Sequence, residues 1–126
     1  MAPEVFKCAK CGNVYEKTYA PCGCTPVCCG EPAVPLTANT ANPDENKHVP
    51  FIVPQGDSVL VKVGKNEAHP MTEEHYIVWI GIVTADGIEM RKYLKPGDKP
   101  EAVFPVGAEG ITAYELCNKH NLWKSQ

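Results

Sequence analysis

The stretch His75-Tyr-Ile-Val-Trp-Ile-Gly-Ile-Val-Thr84, followed by Ala85-Asp86-Gly87 and then by Ile88 to Leu94, decides the fold. A long apolar run rich in β-branched and aromatic residues reads as a strand. The Ala-Asp-Gly triplet turns the chain, so Ile88–Leu94 returns antiparallel as the second arm of a hairpin. Working outward, Asp57–Val63 alternates loosely and is β-branched. Lys95-Pro-Gly-Asp-Lys-Pro100 is a turn cluster, and Glu101–Val106 and Ile111–Cys117 are two further strands. No stretch carries a sustained helical period with caps. Short strands with turn signals at this spacing predict an all-β protein whose main domain is a β-sandwich.

The N-terminal part has a different chemistry. Six of the seven cysteines fall between positions 8 and 29, in a segment poor in large apolar residues and rich in Gly and Pro. A segment this short cannot bury a sufficient core and calls for a metal or another staple. Residues 1–36 therefore read as a small metal-bound domain. The polar, turn-forming residues 37–47 read as a linker, and residues 48–126 as the β domain.

Bulk properties exclude several classes. A net charge of −3 and a pI near 5.8 lack the basic face of a nucleic-acid binder. There is no apolar run of about 18 residues, so no membrane span is expected. The N-terminus has no apolar signal-peptide region, so the expected location is cytoplasmic. In a reducing compartment the cysteines read as metal ligands or reactive thiols before disulfides.

Two metal sites are suggested. Cys8-Ala-Lys-Cys11 followed by Gly12 is a metal knuckle that needs a second pair to close a tetrahedron. The candidates are Cys22, Cys24, Cys28 and Cys29, and spacing does not choose among them, because the side chains of adjacent cysteines normally diverge. Zinc and iron both suit four thiolates. The second site draws on all four histidines: His48, His69, His75 and His120, the last in a Cys117-x-x-His120 pair. Singly, each reads as a loop residue and Cys117 as a buried thiol. Together they lie at strand ends, where a sandwich gathers its loops. Four imidazoles and one thiolate suit iron, copper or zinc and leave a coordination position open.

The set Cys8-x-x-Cys11, Cys28-Cys29-Gly-Glu-Pro, Lys47-His48-Val-Pro, Ala68-His69-Pro-Met, His75-x-x-x-Trp79-Ile, Leu94-Lys-Pro-Gly-Asp98 and Cys117-Asn-x-His120-x-x-Trp123 resembles the desulfoferrodoxins, the two-iron superoxide reductases, over nearly the whole chain. The resemblance implies a desulforedoxin-like N-terminal domain whose iron is held by Cys8, Cys11, Cys28 and Cys29. It also implies an immunoglobulin-like, neelaredoxin-like sandwich. There His48, His69, His75 and His120 would be equatorial ligands and Cys117 the axial ligand of a second iron.

The implied reaction is one-electron reduction of superoxide to hydrogen peroxide without release of dioxygen. Lys47 matches the family lysine at the site mouth, where it would attract the anion and order a proton-donating water. Family members often carry glutamate directly before that lysine. Here the position is Asn46, with Glu45 one residue earlier, so either Asn46 or Glu45 would cap the ferric iron, or it would stay uncapped. Cys22 and Cys24 are not required by the family pattern. Inert thiols are the simplest reading, with a redox pair, a tight disulfide or alternative ligation open. A rubredoxin-like electron donor and a homodimer are the implied partners. The competing readings are an electron-transfer iron protein and a zinc-binding structural module.

Overall fold

The computed structural model describes residues 2–39 and 47–125. The chain divides into two compact units, Met1–Thr37 and Ala38–Gln126. No helix among the described residues is long and apolar enough to cross a membrane.

The first unit holds five short strands. β1 (Glu4–Lys7), β2 (Val14–Lys17) and β5 (Val34–Leu36) form an antiparallel sheet in the order β2-β1-β5, and β3 (Val27–Cys28) pairs with β4 (Glu31–Pro32) as a two-residue ribbon. Its buried apolar residues are Val5, Phe6, Cys8 and Ala33. That is too little apolar surface to hold the unit without a further constraint.

The second unit is a sandwich of seven antiparallel strands, an immunoglobulin-like arrangement. One sheet has the order β10-β7-β6, from β6 (Pro50–Gln55), β7 (Ser58–Val63) and β10 (Glu101–Phe104). The other has the order β12-β11-β8-β9, from β8 (Ile77–Val83), β9 (Glu89–Tyr93), β11 (Thr112–Cys117) and β12 (Asn121–Lys124). Between the sheets lie Val59, Val61 and Val63 of β7, Ile77, Ile80 and Ile82 of β8, Ala102 and Phe104 of β10, and Ala113 and Cys117 of β11. The strict alternation of β7 marks it as half-buried. The near-continuous apolar run of β8 fits its central place, with burial on both faces. On the other face of β8, the Arg91 guanidinium lies 3.9 Å from the centre of the Trp79 ring and shields it from water.

The expected hairpin is β8–β9, with the register Trp79↔Tyr93 to Val83↔Glu89 around a turn in which Gly87 has φ +91°. The expected linker of 37–47 meets the second unit early, since Asn39 forms a parallel bridge with Trp123.

The register fixes where the second site is built. Pro50 at the start of β6 faces Val63 at the end of β7, and Ile77 at the start of β8 faces Cys117 at the end of β11, which in turn faces Asn121 at the start of β12. His48 precedes β6, His69 and His75 lie between β7 and β8, and Cys117 and His120 flank the β11–β12 turn. All five residues therefore sit at one end of the sandwich.

Candidate metal centres

In the first unit, the sulfurs of Cys8, Cys11, Cys28 and Cys29 all lie within 4.8 Å of one another. The first pair comes from a knuckle. Gly12 has φ +80° and its N–H donates to the Cys8 carbonyl oxygen (3.0 Å), while the Cys11 N–H reaches the Cys8 sulfur at 3.5 Å. The second pair is vicinal, and the obstacle to it is removed by backbone geometry. Cys29 takes φ +53° and Gly30 φ +76°, a left-handed turn that swings the Cys29 side chain back beside that of Cys28. The two sulfurs are 3.9 Å apart, and that of Cys28 is 3.6 Å from that of Cys11. Cys22 and Cys24 are not in the cluster: they are joined to each other in a disulfide, which corrects the reading of them as inert thiols.

Tyr15, which the sequence does not single out, donates its hydroxyl to the Cys28 sulfur (3.1 Å) and accepts from the Asn13 amide (3.3 Å). The thiols compete for charge. The Cys11 backbone N–H is the largest influence holding Cys8 down at about 6, whereas hydrogen bonds with the Cys11 and Cys8 thiols push Cys29 up to about 12. One thiolate forms readily while Cys28 and Cys29 resist joining it, so four thiolates at this spacing need a cation among them.

In the second unit, the four imidazoles form a closed square. Ring centroids of neighbouring pairs are separated by 4.8 Å (His48–His69), 4.7 Å (His69–His75), 4.8 Å (His75–His120) and 4.6 Å (His120–His48), and the His48–His75 diagonal is 6.1 Å. Two trios of donor atoms, His48–His75–His120 and His48–His69–Cys117, each fall within 4.8 Å and share His48. The Cys117 sulfur is also 3.8 Å from His120 Nδ1. The thiol thus reaches three corners, including the opposite pair His69 and His120, and so faces the ring rather than extending an edge. Cys117, His48 and His69 are buried, while His120 is exposed.

The donors fit a metal. His69 Nδ1 is 2.7 Å from the Pro70 carbonyl oxygen, which can only accept, so Nδ1 carries the proton and Nε2 keeps its lone pair. That Nε2, and Nδ1 of His48, are buried without a hydrogen-bond partner among the described residues. An orphaned buried nitrogen is costly unless something occupies it. His120 Nδ1 and His75 Nε2 stand 3.1 Å apart, close to the about 3 Å that two nitrogens bound at right angles to one ion would show. Burial is the largest cause pushing His48 and His69 down to about 4, and it also lowers His75, with neighbouring imidazoles and the Lys47 charge adding to the effect. His48, His69 and His75 are therefore neutral near pH 7, as ligation requires.

Local structure aims each ring. Gly64, at φ +92°, ends β7 in a turn so tight that a Cβ would collide with the Glu67 backbone carbonyl, and this turn lets the His69 N–H reach the Val63 carbonyl (3.1 Å). Thr72 and His75 exchange backbone hydrogen bonds, and the Thr72 hydroxyl accepts from the His75 N–H at 3.1 Å. Asn118 clamps the His75 loop to the Cys117 turn. Its side-chain oxygen accepts from Tyr76 N–H (2.9 Å), its amide donates to the Glu74 carbonyl (3.0 Å), and its own N–H donates to the Tyr76 carbonyl (3.1 Å). Trp123 stacks on His48 (4.9 Å, 16°) and donates its indole N–H to the His120 carbonyl (2.8 Å). Asn118 and Trp123 stand inside the Cys117-to-Trp123 motif, yet their roles are not legible from it. The usable signal was an asparagine at a turn, where its side chain commonly bonds nearby backbone. Lys47 is exposed beside His48; Glu45 and Asn46 lie outside the described residues.

Comparison with known proteins points the same way. Residues 40–126 match the Desulfoferrodoxin family. The chain is 46% identical over 123 residues to the Desulfoferrodoxin of Syntrophotalea carbinolica, with 98% of this chain and 95% of that protein covered. It is 46% identical over 122 residues to the Desulfoferrodoxin homolog of Archaeoglobus fulgidus, covering 97% and 95%. Among solved structures it is similar to the superoxide reductase from Treponema pallidum, with a TM-score of 0.77 and 32% identity over 99% of this chain and 98% of that one. This chain belongs to the desulfoferrodoxin family.

Proposed function

We propose that the protein is a superoxide reductase, reducing superoxide with one electron and two protons to hydrogen peroxide at a ferrous ion held by His48, His69, His75, His120 and Cys117. The observation that carries this reading is the square of four imidazoles faced by one buried thiol. In such a site the ferrous ion supplies the electron and leaves one coordination position for the substrate.

The chain's own residues divide the remaining work. The four imidazoles would hold the ion through their nitrogen lone pairs without neutralising its charge. The Cys117 thiolate would donate electron density to a bound iron, favouring its oxidised state. Lys47, whose charge is felt at His48, His69 and His75, attracts the anionic substrate and holds a proton at Nζ or on a water beside it. Glu45 or Asn46 would cap the oxidised site, or it would stay open or water-bound.

The same reading makes residues 1–36 a desulforedoxin-like domain with a second iron on Cys8, Cys11, Cys28 and Cys29, joined by residues 37–47 to the reductase domain of residues 48–126. Its partners are a second copy of the chain and a rubredoxin-like electron donor. The test is to mix reduced, metal-analysed protein with superoxide and measure both products. Each superoxide consumed should yield one peroxide with no dioxygen; dioxygen release would mean dismutation and refute the assignment. Lys47→Ala should slow the reaction and flatten its dependence on ionic strength, and an unchanged rate at low salt would remove Lys47 from the mechanism.

A further inference from the structure

The loop of residues 18–26, between β2 and β3, carries the two cysteines that neither cluster uses. Cys22 and Cys24 are bonded across Gly23, with Cα atoms 5.5 Å apart, and both are exposed. As a staple this bridge has little to offer. A disulfide stabilises chiefly by closing a loop in the unfolded chain, and the gain grows with loop length, so enclosing a single residue is the least effective case. An exposed disulfide is, on the other hand, the kind that thiols reduce and re-form.

Three features of the surroundings suit such cycling. Lys17 donates from Nζ to the Cys24 carbonyl oxygen, which places a cation beside the pair and favours a thiolate there. A Cβ built on Gly23 meets nothing within 4 Å, so the ring has room to open and a second thiol has room to approach. Tyr19, 85% exposed in the same loop, offers an apolar footing for a partner.

We propose that Cys22-Gly23-Cys24 is a dithiol–disulfide couple that reduces hydrogen peroxide to water and so consumes the product of the histidine-rich centre. The source of the peroxide rests on the superoxide reductase reading. The Cys24 thiolate attacks one peroxide oxygen and the O–O bond breaks. Sulfur keeps that oxygen as a sulfenic acid, and the departing hydroxide takes a proton to become water. The Cys22 thiol then attacks the sulfenic sulfur. The S–S bond forms, the S–O bond breaks, and the second water leaves with the Cys22 proton. Two thiols lose two electrons in total and one peroxide gains them. A protein dithiol of the thioredoxin class restores the pair by exchange and is itself oxidised to a disulfide.

The experiment uses the full-length, metal-loaded chain, reduced with excess dithiol, freed of it and treated with reagent hydrogen peroxide. Because the peroxide is added, the result is independent of whether the second centre makes it. Alkylation under native conditions followed by intact mass should label two cysteines before peroxide and none after, with the loss of two hydrogens. C22S, which keeps the attacking thiolate, should consume one peroxide at about the parent's rate and stop at a sulfenic acid that a dione reagent traps, whereas C24S should react at least about tenfold more slowly. Peroxide consumed by the pair is read against the C22S/C24S double variant, which should keep the absorption of both centres and its rate with superoxide. A bridge that excess dithiol does not open would make it a structural staple and overturn the proposal. So would a reduced pair that peroxide leaves untouched, or loss of the tetrathiolate absorption in the double variant.

Discussion

Asn118 supports the second centre from outside the five donors, because hydrogen bonds from its side chain and backbone tie the His75 loop to the turn carrying Cys117 and His120. Groups that orient metal ligands typically hold 10- to 100-fold in affinity. Asn118→Ala should therefore weaken metal binding at the histidine-rich site by about that factor, read by competition with a chelator, while the four-thiol site keeps its metal. Equal loss at both sites would point to general unfolding instead. Tyr15 plays the corresponding part in the first unit. Its O–H···S bond stabilises negative charge on Cys28, so Tyr15→Phe should lower the reduction potential of the four-thiol centre in a redox titration. At this scale the histidines, Cys117 and the Cys8–Cys11 knuckle were legible as candidate donors, whereas the second thiol pair came only from the family resemblance. The residues that aim them were not legible, because an asparagine or tyrosine earns its role only from what folding brings beside it. Pairing of Cys28 with Cys29 likewise depends on the φ of +53° at Cys29, which no spacing rule encodes.

Strands differ in how plainly they announce themselves. β8 and β9 were legible from apolar runs and the turn at Ala85-Asp86-Gly87, and β7 from its alternation. β6 carries Pro50 and Pro54, which read against a strand, and it survives as one because it is an edge of its sheet. β12 has four residues, too few for any period. The turn before it needs Asn121 at φ +68°, a conformation that asparagine tolerates. Gly64 serves the same purpose at the end of β7. Gly64→Ala should cost on the order of 1–3 kcal/mol in chemical denaturation and displace His69, so that metal at the second centre falls as well; unchanged stability would mean the turn is not required.

Glu115, on β11, is fully buried opposite Ile80 and Trp123, and neither carboxylate oxygen has a protein partner among the described residues. Burial raises its carboxyl well above the ordinary 4.5. The folded chain then keeps a proton that the unfolded chain releases above 4.5. This contribution is favourable at low pH and is lost as pH rises toward the folded value. Glu115→Gln should therefore be more stable than the parent near pH 7, with a flatter dependence of unfolding free energy on pH. An unchanged slope would show that the carboxyl is not held neutral.

At the scale of the whole molecule, two units hold two clusters with different reasons to exist. Met1–Thr37 has a meagre core and a cluster of thiols whose charges oppose one another, so metal and fold should be linked there. Ala38–Gln126 has a complete sandwich core and gathers its donors at one end, so its fold should outlast its metal. Chelation should accordingly melt the first unit while the sandwich keeps its cooperative unfolding transition, as amide hydrogen exchange would resolve. The division of chemistry between the two segments was plain in the cysteine distribution. That Asn39 pairs with the last strand was not, since a polar, turn-forming stretch shows no strand signal.

The central claim is that one ion is held jointly by the square of imidazoles and by the Cys117 sulfur. Visible absorption of the oxidised protein in two single variants tests it most directly. Cys117→Ser should abolish the sulfur-to-iron charge-transfer band of the histidine-rich centre together with superoxide reduction, and Cys29→Ser should abolish only the tetrathiolate bands. If Cys117→Ser kept both its band and its activity, the five-donor site described above would be wrong.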